Sequence, residues 1–319
     1  MDTTLMKKYF FLFFKNCDAL IALNKYIQKD ILEYGFRGKV FTIPNGRYLS
    51  PYQRCCPAKL SEKQKQLTFI GYLSTRKNQK YLCRVMEYLP ENFVLNLIGV
   101  PINPKYLQEL KTYVQKKSLK NVNFLGEVPY EKIPGLLEKT HVFVSASKME
   151  VQSLVIIEAL ASGTPVVGLS NETVSEFIDD SVGFLLGKEA HPRTFAKKVK
   201  KICSLSQKEY EFLCNNAQKR VAHLDWPDIV KQTEMVYQKL IKEKKINKGE
   251  RKVSNIKVIL KMLHIPKNKS FLQKIVQKSG DKINKKKNIL MFIMTIIGTF
   301  FLGICYWFLN KTKRIPIPR

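Results

Sequence analysis

The chain has 319 residues, 45% of them hydrophobic, and a formal net charge of +29. That is ample for one or two domains with a globular core. Its seven cysteines, an odd number without metal-like spacing, argue against a disulfide framework and suit a reducing cytosol.

Residues 1–17 read as a helix with an aromatic face, and the apolar run 9–14 inside it is too short for a signal peptide. Residues 18–23 (DALIAL) predict a buried strand and 25–34 a helix ended by Gly35. A second short strand, 40–43, is broken by Pro44-Asn45-Gly46. The polar stretch 47–66 reads as a linker. From residue 67 the alternation becomes regular. Strands are expected over 67–71 (LTFIG), 94–99 (VLNLIG), 122–126 (VNFLG), 141–145 (HVFVS), 166–169 and 182–186. Helices are expected over 79–89, 104–117, 130–139, from about 153, then 172–178, 192–204 and 207–224. A closing helix, 228–242, follows Trp226. Strands alternating with helices of this length imply βαβ units, hence an α/β fold with a Rossmann-like parallel sheet of about six strands.

The positive charge gathers late. Residues 241–287 hold 16 Lys/Arg against three acids, a net of +13. Val253, Ile256, Ile259, Leu260 and Leu263 make a helical stripe there, interleaved with lysines, which reads as a basic amphipathic helix on an anionic lipid surface. Residues 289–309 then run 21 positions without a charge, roughly 30 Å as a helix and enough to cross a bilayer. The expectation is a C-terminal transmembrane helix, a single-pass anchor with the globular part cytoplasmic. Charge placed beside a greasy segment, not among base-stacking aromatics, argues against nucleic acid as a partner.

Two strand–turn–helix crossings are the places for chemistry, because open α/β sheets bind ligands at the carboxyl ends of their strands. The first is Gly71-Tyr72-Leu73-Ser74-Thr75-Arg76-Lys77, a glycine at a strand end and two cations before a helix, which suits a diphosphate. The second is residues 145–167, SASKMEVQSLVIIEALASGTPVV. Here Glu150 sits on the loop and Glu158 on the following helix, and carboxylates orient sugar hydroxyls well. His141 begins a core strand and reads as structural; no Ser-His-Asp or metal constellation is visible.

With those flanks, Glu150 and Glu158 resemble the E-x7-E element of family 4 glycosyltransferases of the GT-B fold, and ALASGTPVV agrees closely. Gly71–Lys77 is similar to that family's G-R-L-x-x-x-K-G turn, with Lys77 on the lysine position and Tyr72 replacing the arginine, a charge for which Arg76 is a substitute. Val151, Gln152 and Ser153 stand where the family has Gly-Phe-Gly. Pro44-Asn45-Gly46, Phe124-Leu125-Gly126 and Trp226 also match, so the likeness covers about residues 18–242. It implies that Glu150 holds the donor sugar and Glu158 the ribose. Lys77, Arg76, and the amides of Ser153 and Leu154 would face the pyrophosphate. It implies sugar transfer with retention from a nucleotide-diphosphate sugar as substrate, with no cofactor and no metal. No catalytic residue is assigned. The acceptor, inferred from the basic and apolar C-terminal segments, is a lipid or lipid-linked molecule at the membrane.

Four regions are thus expected: an acceptor-domain remnant (1–46), a nucleotide-sugar-binding domain (47–242), a membrane-surface segment (243–287), and the anchor with its tail (288–319). Only about 45 residues precede Asn45-Gly46, so most of an N-terminal acceptor domain is missing. A truncated product, one half of a split enzyme with a separate acceptor-domain chain, and a donor-binding relic all remain open.

Overall fold

The computed structural model describes Phe14 and residues 17–53 and 58–246. Most of the helix expected over 1–17, the amphipathic segment beyond residue 246 and the anchor expected over 289–309 lie outside the described residues. Among the described residues, no helix is long and apolar enough to cross a membrane.

Several helices start at a side chain that caps their first turn. Asn24 accepts the Ile27 amide at 2.9 Å and opens α1 (Lys25–Glu33), which joins β1 (Ala19–Ala22) to β2 (Lys39–Thr42). These two strands pair in parallel as a sheet of their own. The main sheet comprises β3 (Lys65–Ile70), β4 (Phe93–Ile98), β5 (Val122–Gly126), β6 (Val142–Ser145), β7 (Val166–Leu169) and β8 (Gly183–Leu186). All its pairings are parallel, in the order β5-β4-β3-β6-β7-β8. The chain therefore winds outward from β3, returns to the other side of it at β6, and winds outward again. The crevice between the carboxyl ends of β3 and β6 is the switch point where such sheets take ligands.

Helices cover both faces, which is why the strands are apolar runs and not alternating ones. Val142 and Val144 of β6 face a core built with α3 (Gln79–Met86), α4 (Pro104–Lys116) and α8 (Pro192–Cys203). Phe143, between them, faces the other core, with α5 (Ile133–Glu138), α6 (Leu154–Ala161) and α7 (Glu172–Phe177). The long α9 (Gln207–Val221) contributes to both cores, and α10 (Trp226–Ile246) closes the domain.

Three elements depart from the sequence expectation. The stretch 47–66 is more than a linker: it contains α2 (Ser50–Gln53), and β3 begins two residues early. Leu49 and Tyr52, one turn apart in an otherwise polar segment, are fully buried and dock it onto the sheet's α6 face. The helix expected over 130–139 divides into a 3-10 turn, Tyr130–Lys132, and α5, with Pro134 unable to donate a backbone hydrogen bond in the first turn of the latter. The last helix starts at Trp226 and runs to Ile246, longer at both ends than 228–242.

Candidate functional site

The loop after β3 is built on two glycines at the ends of adjacent strands. Gly71 (φ +145°) and Gly99 (φ +131°) both adopt backbone conformations that side chains resist, and a Cβ on Gly99 would stand 2.3 Å from the Gly71 carbonyl oxygen. Gln79, fully buried, then staples the loop: its Oε1 accepts the Ser74 amide at 3.1 Å and its Nε2 donates to the Tyr72 carbonyl at 2.9 Å. This fixes the backbone while leaving the Tyr72 side chain exposed.

The two crossings meet across the switch point. Lys77 Nζ pairs with Glu150 Oε1, and both side chains are largely buried. Arg76 approaches the same carboxylate at 3.7 Å and donates to the Met149 carbonyl at 3.0 Å. The Glu150 loop is held from its other side as well, since the Glu150 amide donates to Glu172 Oε2 at 3.2 Å. Residues 73 positions apart in the chain thus form one charged pair at the crevice mouth.

Ser153 stands at the N-cap of α6, but its side chain makes no capping bond, and its amide donates to Thr173 Oγ1 at 2.9 Å. The Ser153 amide, expected to face the pyrophosphate, is thus engaged by Thr173 in this structure. The Leu154 and Val155 amides, next in the first turn, have no acceptor among the described residues. Oriented amides at a helix start form an anion site.

Glu158, 2% exposed, lies one and a half turns into α6 on the same helix face of the sheet as α2. Its carboxylate pairs with Arg47 Nε and accepts from Tyr130 Oη at 3.4 Å, while Tyr52 Oη donates to Tyr130 Oη at 2.7 Å. The Arg47 guanidinium also lies 4.4 Å from the centre of the Tyr130 ring. Burial raises the Glu158 pKa above its ordinary value, against the pull of Arg47 and the two tyrosine hydroxyls. Arg47, Tyr52 and Tyr130 were invisible as site residues in the sequence. The only signal was that Arg47 directly follows Pro44-Asn45-Gly46.

The N-terminal segment also touches the donor loop. Asn24 Nδ2 donates to the Val151 carbonyl at 2.8 Å, and the Asn45 amide donates to Gln152 Oε1 at 2.6 Å. Gln152 Nε2 is buried and is left without a hydrogen-bond partner among the described residues. Such a group is costly unless a ligand or water satisfies it. Among the described residues no three metal-ligating side chains converge.

A sequence model of the glycosyl transferases group 1 family matches residues 57–220, just over half of the chain. The chain belongs to that family. Both crossings lie inside the matched segment, whereas Arg47 and Asn45 lie before it. An uncharacterized glycosyltransferase of Methanocaldococcus jannaschii is 31% identical over 56% of this chain and 46% of its own length. The alpha-monoglucosyldiacylglycerol synthase of Streptococcus pneumoniae is 26% identical over 66% of this chain and 52% of its own. The chain thus spans about half the length of these relatives. Among solved structures, Anabaena HepE in complex with UDP and glucose superposes with a TM-score of 0.66 at 21% identity, covering 75% of this chain and 68% of that one, a likeness of fold.

Proposed function

We propose that this glycosyltransferase-family chain binds a nucleotide-diphosphate sugar in the crevice between β3 and β6 and, with an acceptor domain, transfers the sugar with retention to a lipid or lipid-linked acceptor. The observation that carries this reading is the meeting of Lys77 and Glu150 at the switch point. In the proposed complex Lys77 turns from Glu150 to the diphosphate, and Glu150 takes the sugar hydroxyls. The free amides of Leu154 and Val155 face the phosphates, and Gln152 Nε2 donates to a ligand oxygen. In the transfer, the acceptor hydroxyl oxygen bonds to the anomeric carbon and its proton passes to the departing diphosphate oxygen. The bond from that carbon to the diphosphate breaks, and the nucleoside diphosphate leaves. Lys77 and the α6 amides stabilise the charge developing on that leaving group. In this reading Glu158 holds the ribose in a setting already ordered by Arg47 and Tyr130. Gly71 lets the backbone approach the phosphates, and Tyr72 and Arg76 line the entrance. The family-4 assignment rests on the E-x7-E spacing of Glu150 and Glu158.

The lipid acceptor is supported by the pneumococcal relative, named an alpha-monoglucosyldiacylglycerol synthase, and by the basic and apolar sequence beyond residue 246. We place the chain on the cytoplasmic side of a membrane, anchored through residues 289–309. Carbonate-washed membranes test the anchor: the full chain stays with the pellet, and a chain ending at Lys282 is released.

Incubation of detergent-purified protein with UDP-glucose, other nucleotide-sugars and membrane lipids tests the activity. Transfer or hydrolysis lost in Glu150→Ala is the expected result, and failure to bind any nucleotide-sugar refutes the reading. The competing reading is a donor-binding subunit completed by a separate acceptor-domain chain. Binding without turnover, with turnover restored by an added acceptor-domain chain, distinguishes it.

A further inference from the structure

We infer that a second anion site lies on the α3/α8 face of the sheet and takes a phosphate ester. A cleft of about 570 Å³ opens there, between α3, the start of the loop after β6, the end of β7 and the entry to α8. That is within the size range of small-ligand pockets. Four cations line it, Lys80, Arg84, Lys148 and Lys188, against one acid, Glu189. None of the four has a carboxylate within ion-pair distance among the described residues.

The fold adds to this charge. Asn78 and His191, which both line the cleft, are the N-caps of α3 and α8, so the positive ends of an eight-residue and a twelve-residue helix open onto one concavity. Asn78, in a left-handed conformation (φ +57°), supplies no side-chain capping bond to α3. His191 Nδ1 accepts the Arg193 amide at 3.2 Å, which leaves Nε2 as a donor edge. Four exposed cations without an ion-pair partner and the His191 ring N–H gather against one carboxylate, although Lys80 also lies over the Tyr113 ring and the first-turn amides of Lys80 and Arg193 are already bonded to Tyr106 Oη and His191 Nδ1. The complement of this cluster is a ligand rich in anionic oxygen, and a phosphate ester provides that.

The cleft adjoins the donor crevice at Asn78 and Lys148 but opens toward α8. None of the residues assigned to the nucleotide-sugar lines it, and Glu158 stands on α6, whose Ile156, Ile157, Ala159 and Leu160 belong to the core on the opposite face. The inference goes beyond donor binding and stands without it. The phosphate ester has two possible sources, a soluble metabolite and a phospholipid headgroup, and glycerol 3-phosphate represents their shared chemistry.

The test uses the full chain in detergent, with glycerol 3-phosphate and, separately, a short-chain phosphatidylglycerol as probes in calorimetric titration. The triple variant Lys80→Ala, Arg84→Ala, Lys188→Ala is compared with a control that removes three exposed cations elsewhere, Lys197→Ala, Lys208→Ala, Lys219→Ala. The inference expects binding weakened roughly tenfold or more in the cleft variant and unchanged in the control. An effect on glycerol 3-phosphate alone identifies a soluble ester, and an effect on the short-chain phosphatidylglycerol alone identifies a headgroup. Equal losses in both variants show general surface charge and overturn the inference, as does a wild type that binds neither probe. Displacement of glycerol 3-phosphate by UDP-glucose makes the cleft part of the donor site and overturns it too. A wild type that binds glycerol 3-phosphate but no nucleotide-sugar leaves the cleft intact and refutes the donor reading instead.

Discussion

Arg47 and Glu158, 111 residues apart, form an ion pair that joins the start of the domain to the helix beside the switch point, and the Tyr130 ring lies against the guanidinium. Two backbone bonds hold Arg47 there: its amide donates to the Leu224 carbonyl at 2.9 Å, and its carbonyl accepts the Trp226 amide at 3.0 Å. The side chain that neutralises Glu158 is thereby fixed to the start of the closing helix.

Removing one partner of this pair is expected to cost more than removing both. Arg47→Met leaves a nearly buried carboxylate without its cation, at a cost of roughly 3 kcal/mol, and adding Glu158→Gln recovers a good part of it. Burial already raises the Glu158 pKa above its ordinary 4.5. In Arg47→Met the folded state therefore keeps the proton that the unfolded chain releases. Stability is greatest below about 4.5 and is lost as pH rises through the folded pKa. Urea unfolding of both variants at pH 5 and pH 8 checks this; equal midpoints for wild type and Arg47→Met contradict it.

His141 predicts the opposite slope. Its Nδ1 accepts the Gln66 amide at 3.0 Å and its Nε2 donates to the Lys59 carbonyl at 3.1 Å, an arrangement only the neutral ring satisfies. Burial lowers its pKa from 6.5, although Glu62 at 3.9 Å pulls the other way. The unfolded chain thus binds the proton first, and the stabilisation present above about pH 6.5 is lost as pH falls. Thermal melts between pH 8 and pH 5 should show a drop that is shallower in His141→Gln.

Gly99→Ala should damage the nucleotide loop without touching its side chains. The new Cβ meets the Gly71 carbonyl and the positive φ is strained, so destabilisation of more than about 2 kcal/mol is expected. UDP-glucose affinity should fall with it, since Gly71 has to move. Retained affinity at reduced stability would separate the loop from the ligand.

Tyr72→Arg tests the vacant arginine position. The side chain is 57% exposed, so little stability is at stake. Arg76 is already directed at Met149 and Glu150, which leaves the loop short of a free cation. Under the proposed function the added guanidinium should tighten nucleoside-diphosphate binding severalfold at low salt, with the gain shrinking as ionic strength rises. Unaltered affinity by titration calorimetry would mean that the diphosphate lies elsewhere.

The sequence by itself determined the six parallel strands, the order of helices between them and the two crossings. Each of these rests on local signals: apolar runs of four to six residues, polar caps such as Asn24 and Asn171, and glycines at strand ends. The motif residues Lys77, Glu150 and Glu158 were legible for the same reason, since each has a fixed offset from its own strand or helix. Only the tertiary structure decided which residues answer them. Arg47 and Tyr130 reach Glu158 from two separate segments, with Tyr52 bonded to Tyr130, Thr173 takes the Ser153 amide, and the Asn45 amide donates to Gln152. Those pairings depend on the strand order, which brings β3 beside β6, and on Leu49 and Tyr52 packing a polar segment onto the α6 face. Periodicity along the chain carries no information about such long-range partners, because burial and charge compensation are settled only when the layers close.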